Sequence, residues 1–332
     1  MNNFKKIGMT ALAASLVSTS VFAGELAVSG SASVNWENYS GTAKSSTKSF
    51  SMGNQITFSG SGELDNGLTV GVSFTIDEFD NAQASSVANS GSIFDAHSVT
   101  VSSDALGTFV FHGEGGDSAQ NAVGDTAAGN IWDNFDGSSV GGTKLRESRA
   151  GDNMMHYTLP SMVDGVTVAV SYTPATGEDE ADSAYALTYT GIEGLSVSYG
   201  AGSNDGQAVG SGGSAANTDV TSMKASYAYG PVTIAYSDHE SDSNTATADQ
   251  DATSFKLSYT VSDAISISYA EEEIDSNGAA ELQDAEYSKI VASYTSGGMT
   301  ISANYQEADN VDYTTSTAAD WEYAGVSLSF AF

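Results

Sequence analysis

Few side chains in this 332-residue sequence can do chemistry: it has four histidines and no cysteine. Thiolate nucleophiles, thiolate metal sites and disulfides are therefore excluded together. His239 sits between Asp238 and Glu240, an imidazole beside carboxylates, which is what a general base at a hydrolytic site uses. Serine is so abundant that pairing one with His239 is uninformative, and this reading ranks second. His112 and His156 are two further imidazoles, but a metal site needs a third ligand that the spacing does not place. Acidic clusters occur at Glu178-Asp179-Glu180, at Glu271-Glu272-Glu273 and at Asp309 with Asp312. Carboxylates of this kind bind Ca²⁺ or Mg²⁺ weakly, yet none has the spacing of a dedicated calcium loop, and a solvated charge run is the favoured reading. No other cofactor is implied.

The elements that must carry these residues follow from composition and periodicity. Forty-two acids against ten bases give a formal net charge of −32, which excludes a nucleic-acid partner, since phosphate is held by clustered Lys and Arg. Aromatic residues at 10% argue for a folded chain rather than disorder. Residues 1–23 read as a secretory signal peptide: Lys5 and Lys6, a charge-free and mostly apolar run from Ile7 to Phe22, and the small-residue ending Val21-Phe22-Ala23. Residues 24–332 form the mature domain, and it holds no apolar run long enough for a membrane helix.

Period-2 alternation runs through nearly all of the mature chain. Leu26, Val28, Ala32, Val34 and Trp36 oppose Ser29, Ser31, Ser33 and Asn35; Ile265, Ile267 and Tyr269 oppose Ser266 and Ser268. Sixteen such segments are predicted, near 26–38, 50–64, 68–79, 93–103, 106–113, 152–160, 166–172, 183–190, 195–200, 220–229, 232–237, 253–261, 265–271, 287–295, 299–306 and 321–332. Tight turns such as Asp65-Asn66-Gly67 and Gly230-Pro231 alternate with long polar connections, among them 80–92, 114–151 and 201–219. An even strand number with short turns on one side and long loops on the other predicts an all-β fold, a transmembrane antiparallel β-barrel with short periplasmic turns and long extracellular loops. Tyr157, Tyr189, Tyr229, Tyr259 and Tyr294 recur beside the short turns, as an interfacial aromatic girdle requires. A soluble sandwich, or a secreted acidic adhesin or β-solenoid, also alternates, but the hydroxyl-rich face is no dry core and no repeat of fixed period appears.

With these features the sequence resembles the Gram-negative general diffusion porins, particularly the alphaproteobacterial type, along the whole mature chain. Leu106-Gly107-Thr108-Phe109-Val110-Phe111 resembles the family's fifth strand, Asn153-Met154-Met155-His156-Tyr157-Thr158-Leu159-Pro160 its sixth, and Gly165-Val166 the start of its seventh. Phe332, ending the alternating strand Val326 to Phe332, is similar to the signal that the barrel-insertion machinery reads. The resemblance implies an outer-membrane homotrimer, with an interface around Trp36, Phe58 and Phe74, that passes small hydrophilic solutes and ions and catalyses nothing. It also implies that 114–151 is a constriction loop folded into the lumen, carrying Glu114, Asp117 and Asp125 with Lys144, Arg146 and Arg149 near its end. Where many members carry Arg, this chain has His112 and His156, a lumen imidazole pair whose charge would change near pH 6.5 if unperturbed. Parity places Lys224, Lys256 and Lys289 on the lumen face as a sparse basic wall opposite the acidic loop. The acid excess predicts cation preference.

Overall fold

The computed structural model describes residues 26–41, 47–77, 94–135, 145–175, 180–205, 217–244, 249–276, 283–313 and 320–332. The signal-peptide reading of 1–23 and the positions Lys144, Glu178 and Asp179 lie outside them. Sixteen strands form one closed barrel. They are β1 (Ala27–Gly41), β2 (Thr47–Glu63), β3 (Thr69–Asp77), β4 (Ala96–Ser103), β5 (Gly107–Glu114), β6 (Met154–Thr158), β7 (Val166–Thr173) and β8 (Asp182–Tyr189), followed by β9 (Leu195–Asn204), β10 (Thr218–Tyr229), β11 (Val232–Ser243), β12 (Gln250–Ser262), β13 (Ile265–Ser276), β14 (Ala285–Ser296), β15 (Met299–Asp309) and β16 (Trp321–Ala331).

Each strand pairs antiparallel with its sequence neighbours, and β1 closes the ring against β16, with Ser31 opposite Ala331 and Gly41 opposite Trp321. Closure removes every sheet edge, so no strand is left with a row of unpaired backbone groups in lipid. Phe332 makes the final stitch: its N–H donates to Gly30 O at 3.0 Å, and its carbonyl accepts from Gly30 N–H at 2.9 Å. The Phe332 ring covers Gly30, where a Cβ would lie 2.8 Å from it.

Period 2 sets the two faces of the wall. Val34, Met52, Ile56, Val99, Leu187, Ile234, Leu257, Ile267, Ile290 and Ile301 all point outward and are exposed. An apolar surface on this scale is stable against lipid and not against water. Among the described residues no helix is long and apolar enough to cross a membrane, and the strands make the crossing. Short turns are tight enough to dictate residue type. At Gly107, with φ of +79°, a Cβ would stand 2.3 Å from Thr158 O.

The strands rise further on the long-loop side than the alternation indicates. β9 runs to Asn204 rather than 200, β11 to Ser243 rather than 237, and β13 to Ser276 rather than 271. Above the hydrocarbon the outward positions turn acidic, as at Asp238, Glu240 and Glu273, so the apolar period stops while the hydrogen-bond ladder continues. A second tyrosine belt marks that boundary, at Tyr172, Tyr185, Tyr199, Tyr236, Tyr269 and Tyr305, complementing Tyr229, Tyr259 and Tyr294 near the short turns. Several of its hydroxyls donate to the carboxylate two residues on: Tyr269 to Glu271 at 2.6 Å and Tyr305 to Glu307 at 3.1 Å.

Candidate functional site: the lumen and the segment docked in it

After β5 the chain turns inside the barrel instead of rising away from it. The segment includes a single helical turn α1 (Asn121–Gly124) and a 3₁₀ turn at Ile131–Phe135. It lies along the inner wall, held by a row of strand hydroxyls that accept its backbone N–H groups. Ala119 N–H donates to Ser171 Oγ at 2.9 Å, Ala127 N–H to Ser237 Oγ at 2.9 Å and Ala128 N–H to Ser254 Oγ at 3.1 Å. These bonds satisfy backbone donors that a buried, non-helical segment would otherwise leave without partners. The hydroxyl face is thus a docking surface for one part of the chain as well as a wetted wall.

At its far end the segment is anchored by packing. Ile131 and Phe135 are fully buried with Leu145 against Ile274, Tyr287, Val311 and Trp321. Phe135 stacks tilted on Tyr287 at 5.9 Å and edge-on to Trp321 at 6.3 Å. Each such side chain contributes about 1.5–3 kcal/mol of apolar burial. The return limb is tied to the outward limb and to the wall together. Gln120 Oε1 accepts from Ser148 N–H at 2.8 Å, while its Nε2 donates to Ser222 Oγ at 2.8 Å. Room for this comes from two small residues on the inner face of β9: a Cβ on Gly200 would stand 2.7 Å from Val123, and one on Gly202 2.7 Å from Ser148.

His239 is not a loop residue at the rim. It lies in β11, faces inward and is 2% exposed, because β11 is longer than its apolar period and the docked segment covers this height of the wall. Its Nε2 meets Arg146 O at 2.6 Å and its Nδ1 meets Ser222 Oγ at 2.7 Å, so both ring nitrogens are occupied in holding the segment. Asp238 and Glu240 alternate to the outer face and cannot orient it. Glu272 corrects the picture of a solvated acidic run: Glu271 and Glu273 are exposed outside, whereas Glu272 points inward and is 2% exposed.

The other candidate residues fall as follows. His112 and His156 share the inner face of adjacent strands, Val110 pairing with His156 and His112 with Met154. His156 Nδ1 lies 3.2 Å from Asp117 O. Glu114 stands 3.8 Å from His97 Nδ1. Asp117 and Asp125 are exposed on the segment, each carboxylate accepting from a local asparagine, Asn121 at 3.3 Å and Asn130 at 2.8 Å. Arg149 is buried and paired with Asp182 at 3.4 Å, and it donates to Glu180 O at 2.7 Å. Burial pushes the half-buried Arg146 guanidinium below its ordinary pKa, opposed by the neighbouring Tyr313 and Asp249. Lys256 and Lys289 are level, each directly opposite Ala270 on its own neighbour pairing, and Lys224 stands one inward position away. Lys224 Nζ donates to Asp125 O at 3.0 Å, so the segment rests on the wall that bears these lysines. Among the described residues no group of three or more carboxylates or imidazoles is arranged to hold a metal ion.

A closed barrel of sixteen antiparallel strands, apolar outside and hydroxyl-lined inside with a segment docked across its lumen, defines an outer-membrane channel protein. The model of the Gram-negative porin family matches residues 8–332, and the chain belongs to that family. No curated relative matches the sequence. Solved structures share the fold at low identity. An anion-selective porin from Comamonas acidovorans has a TM-score of 0.70 at 16% identity, covering 93% of this chain and 100% of its own. The trimer form of OmpT from Vibrio cholerae gives 0.65 at 16%, covering 92% and 99%. Salmonella typhi OmpF, in complex with daunomycin, gives 0.64 at 16%, covering 93% and 98%. The protein is an outer-membrane porin channel.

Proposed function

We propose that this porin passes small hydrophilic solutes and ions by passive diffusion and prefers cations. A fold neighbour that is anion-selective makes clear that the sign of selectivity must be argued from residues and not from the barrel. One observation carries the reading. Asp117, Asp125 and Asp133 are exposed along the docked segment, while the residues between them, such as Ser118, Gln120, Ala127 and Ile131, are buried on the wall. The aspartates therefore face away from β7–β16, toward the part of the lumen bounded by β1–β5. Inward positions of β1–β5 are hydroxyls and amides such as Ser33, Asn35, Gln55, Thr57 and Thr75, with Glu37 and Asp77. Among the described inward positions of these strands there is no Lys or Arg, and His112 on β5 is the imidazole.

The open passage is thus acidic on one side and neutral to acidic on the other. Lys224, Lys256 and Lys289 lie on the docking wall, where they temper that field without opposing it across the pore. Low-dielectric walls focus the remaining negative potential. Nothing in the Ser222–His239 pair favours catalysis, since both side chains are buried and committed to the segment. Current through the folded protein in a planar bilayer under a salt gradient tests the reading: stepwise conductance with a reversal potential of cation-selective sign is expected. Anion-selective reversal would overturn the preference, and absence of conductance would overturn the channel assignment.

The tyrosine belts also support a homotrimer. Outward tyrosines are present on β6–β15 but missing from every outward position of β1–β5, where Val34, Phe50, Met52, Ile56 and Phe74 are exposed instead. An arc without interfacial tyrosines is one that meets protein rather than headgroups. It contains Trp36, Phe58 and Phe74. The mass of the unheated, detergent-solubilised protein should be that of three chains, and a monomer mass would defeat this reading.

A further inference from the structure

His112 and His156 are the lumen imidazoles that the docked segment leaves open. Both are partly exposed, whereas His239 is buried with its two ring nitrogens engaged. Register makes them diagonal neighbours on one face: His112 is opposite Met154, and His156 follows two positions along β6. Such neighbours stand about 7–8 Å apart, near enough for two aromatic rings to converge. The ring of His156 is already oriented as a ligand. Asp117 O lies 3.2 Å from its Nδ1, and a carbonyl oxygen only accepts, so Nδ1 carries the proton. The neutral ring then presents Nε2 as a bare lone pair. A metal-binding imidazole is held in this way, by an acceptor that takes the N–H of its other nitrogen. His112 makes no hydrogen bond to the described residues, so its nitrogens are free to turn to a ligand. Its base is confined, because a Cβ at Gly116 would stand 2.7 Å from His112 Cγ and 2.6 Å from Met154 Sδ.

We propose that His112 and His156 together bind a transition-metal cation in the lumen, Cu²⁺ in preference to Zn²⁺, and that the bound ion reversibly obstructs the passage. Imidazole nitrogens suit these ions, whereas Mg²⁺ and Ca²⁺ take oxygen ligands. Cu²⁺ stands above Zn²⁺ in the affinity order for a given nitrogen site. The exposed Asp117 carboxylate, within electrostatic reach of His112, adds attraction without being a ligand. It accepts from Asn121, and no third carboxylate or imidazole among the described residues is placed for coordination. Water fills the remaining positions, so the ion is a passing solute that pauses and not a resident cofactor. Binding at the pair stands on its own geometry, and the obstruction rests on the channel reading.

Bilayer conductance during titration with CuCl₂ at neutral pH, in a buffer that does not chelate copper, tests it. Stepwise interruptions that EDTA reverses are expected with Cu²⁺, with Zn²⁺ only at higher concentration, and not with Mg²⁺. Changing an outer-shell partner alone costs a metal site about 10–100-fold in affinity. Loss of one of only two ligands, in His112→Gln or separately in His156→Gln, should therefore raise the half-blocking concentration at least about tenfold, each variant measured against its own metal-free conductance. His97→Gln, at the imidazole packed beside Phe94, should leave it unchanged. Electron paramagnetic resonance of Cu²⁺ on the folded, detergent-solubilised wild type should show two imidazole nitrogens, a readout that depends on neither variant folding nor conductance. Wild-type sensitivity in both single variants, Mg²⁺ blocking as strongly as Cu²⁺, or a spectrum without two imidazole nitrogens would overturn the site while leaving the channel reading intact. A wild-type barrel that binds Cu²⁺ through two imidazoles yet never conducts would overturn the channel reading and the obstruction together.

Discussion

Replacing Asp117, Asp125 and Asp133 together with asparagine should lower the cation-to-anion permeability ratio roughly tenfold at 0.1 M salt. Each carboxylate a few ångströms from a passing ion is worth about 0.5–1 kcal/mol at the dielectric of water, so three supply about 1.5–3 kcal/mol before screening. With a Debye length of about 10 Å at 0.1 M and 3 Å at 1 M, the difference between wild type and variant should shrink as salt rises. Asparagine suits the test because Asp117 and Asp125 accept from Asn121 and Asn130, and an amide oxygen keeps both bonds. The paired change Lys256→Glu with Lys289→Glu should move selectivity the other way by adding negative charge to the docking wall. A reversal potential unmoved by the triple asparagine variant would place control of selectivity elsewhere, with the acids of the outer rim the next to test.

The barrel was legible in the sequence because a lipid-facing wall must repeat an apolar residue at every second position, and that constraint is local. Leu195, Val197 and Tyr199 reveal β9 without knowledge of any other strand. The upper part of the same strand, Gly200 to Asn204, was not legible, since it has left the hydrocarbon and only its pairing with β8 and β10 keeps it extended. The site suffered more from this. His239 and Glu272 stand among acids in the sequence and look solvated; what buries them is a segment whose contacts lie 93 residues earlier in the chain for His239 and 146 for Glu272. Parity does place both on the inner face, because Tyr236 and Tyr269 fix the outward positions of β11 and β13. The docking row had a faint signal too, in Ser171, Ser222, Ser237 and Ser254 on inward positions, but serine is common enough in this lumen to hide it. The resemblance indicated that 114–151 is special, and only coordinates show which of its charges are used up. Arg149 in the sequence is one of two arginines beside acids; in the structure its charge is committed to Asp182.

That pairing makes Arg149→Ala the substitution with the largest expected effect on the structure of the site. Asp182 is 2% exposed and Arg149 9%, so removing the guanidinium leaves an almost fully buried carboxylate without its cation. Breaking a buried pair from one side costs about 3–5 kcal/mol, much of it the desolvation of the charge left behind. Asp182 keeps bonds from Ser203 Oγ at 3.0 Å and Asp205 N–H at 2.9 Å, which limits the loss without cancelling it. The penalty is local. The Arg149 backbone holds to Ser203 O at 3.0 Å and accepts from Thr173 Oγ1 at 3.3 Å, and the closed strand ladder does not pass through the side chain. Arg149→Ala should therefore leave the barrel folded and heat-modifiable on a gel while the return limb near 145–150 becomes open to protease. Arg149→Lys should fall between, since it restores the charge on a shorter side chain that must bring its ammonium to the place where Nη1 meets both Asp182 and Glu180 O. Removing both partners in R149A/D182A should recover most of the loss, because no buried charge then remains. A single Arg149→Ala variant as protease-resistant as wild type would mean that the backbone bonds alone fix the return limb and that the buried pair contributes little to holding it.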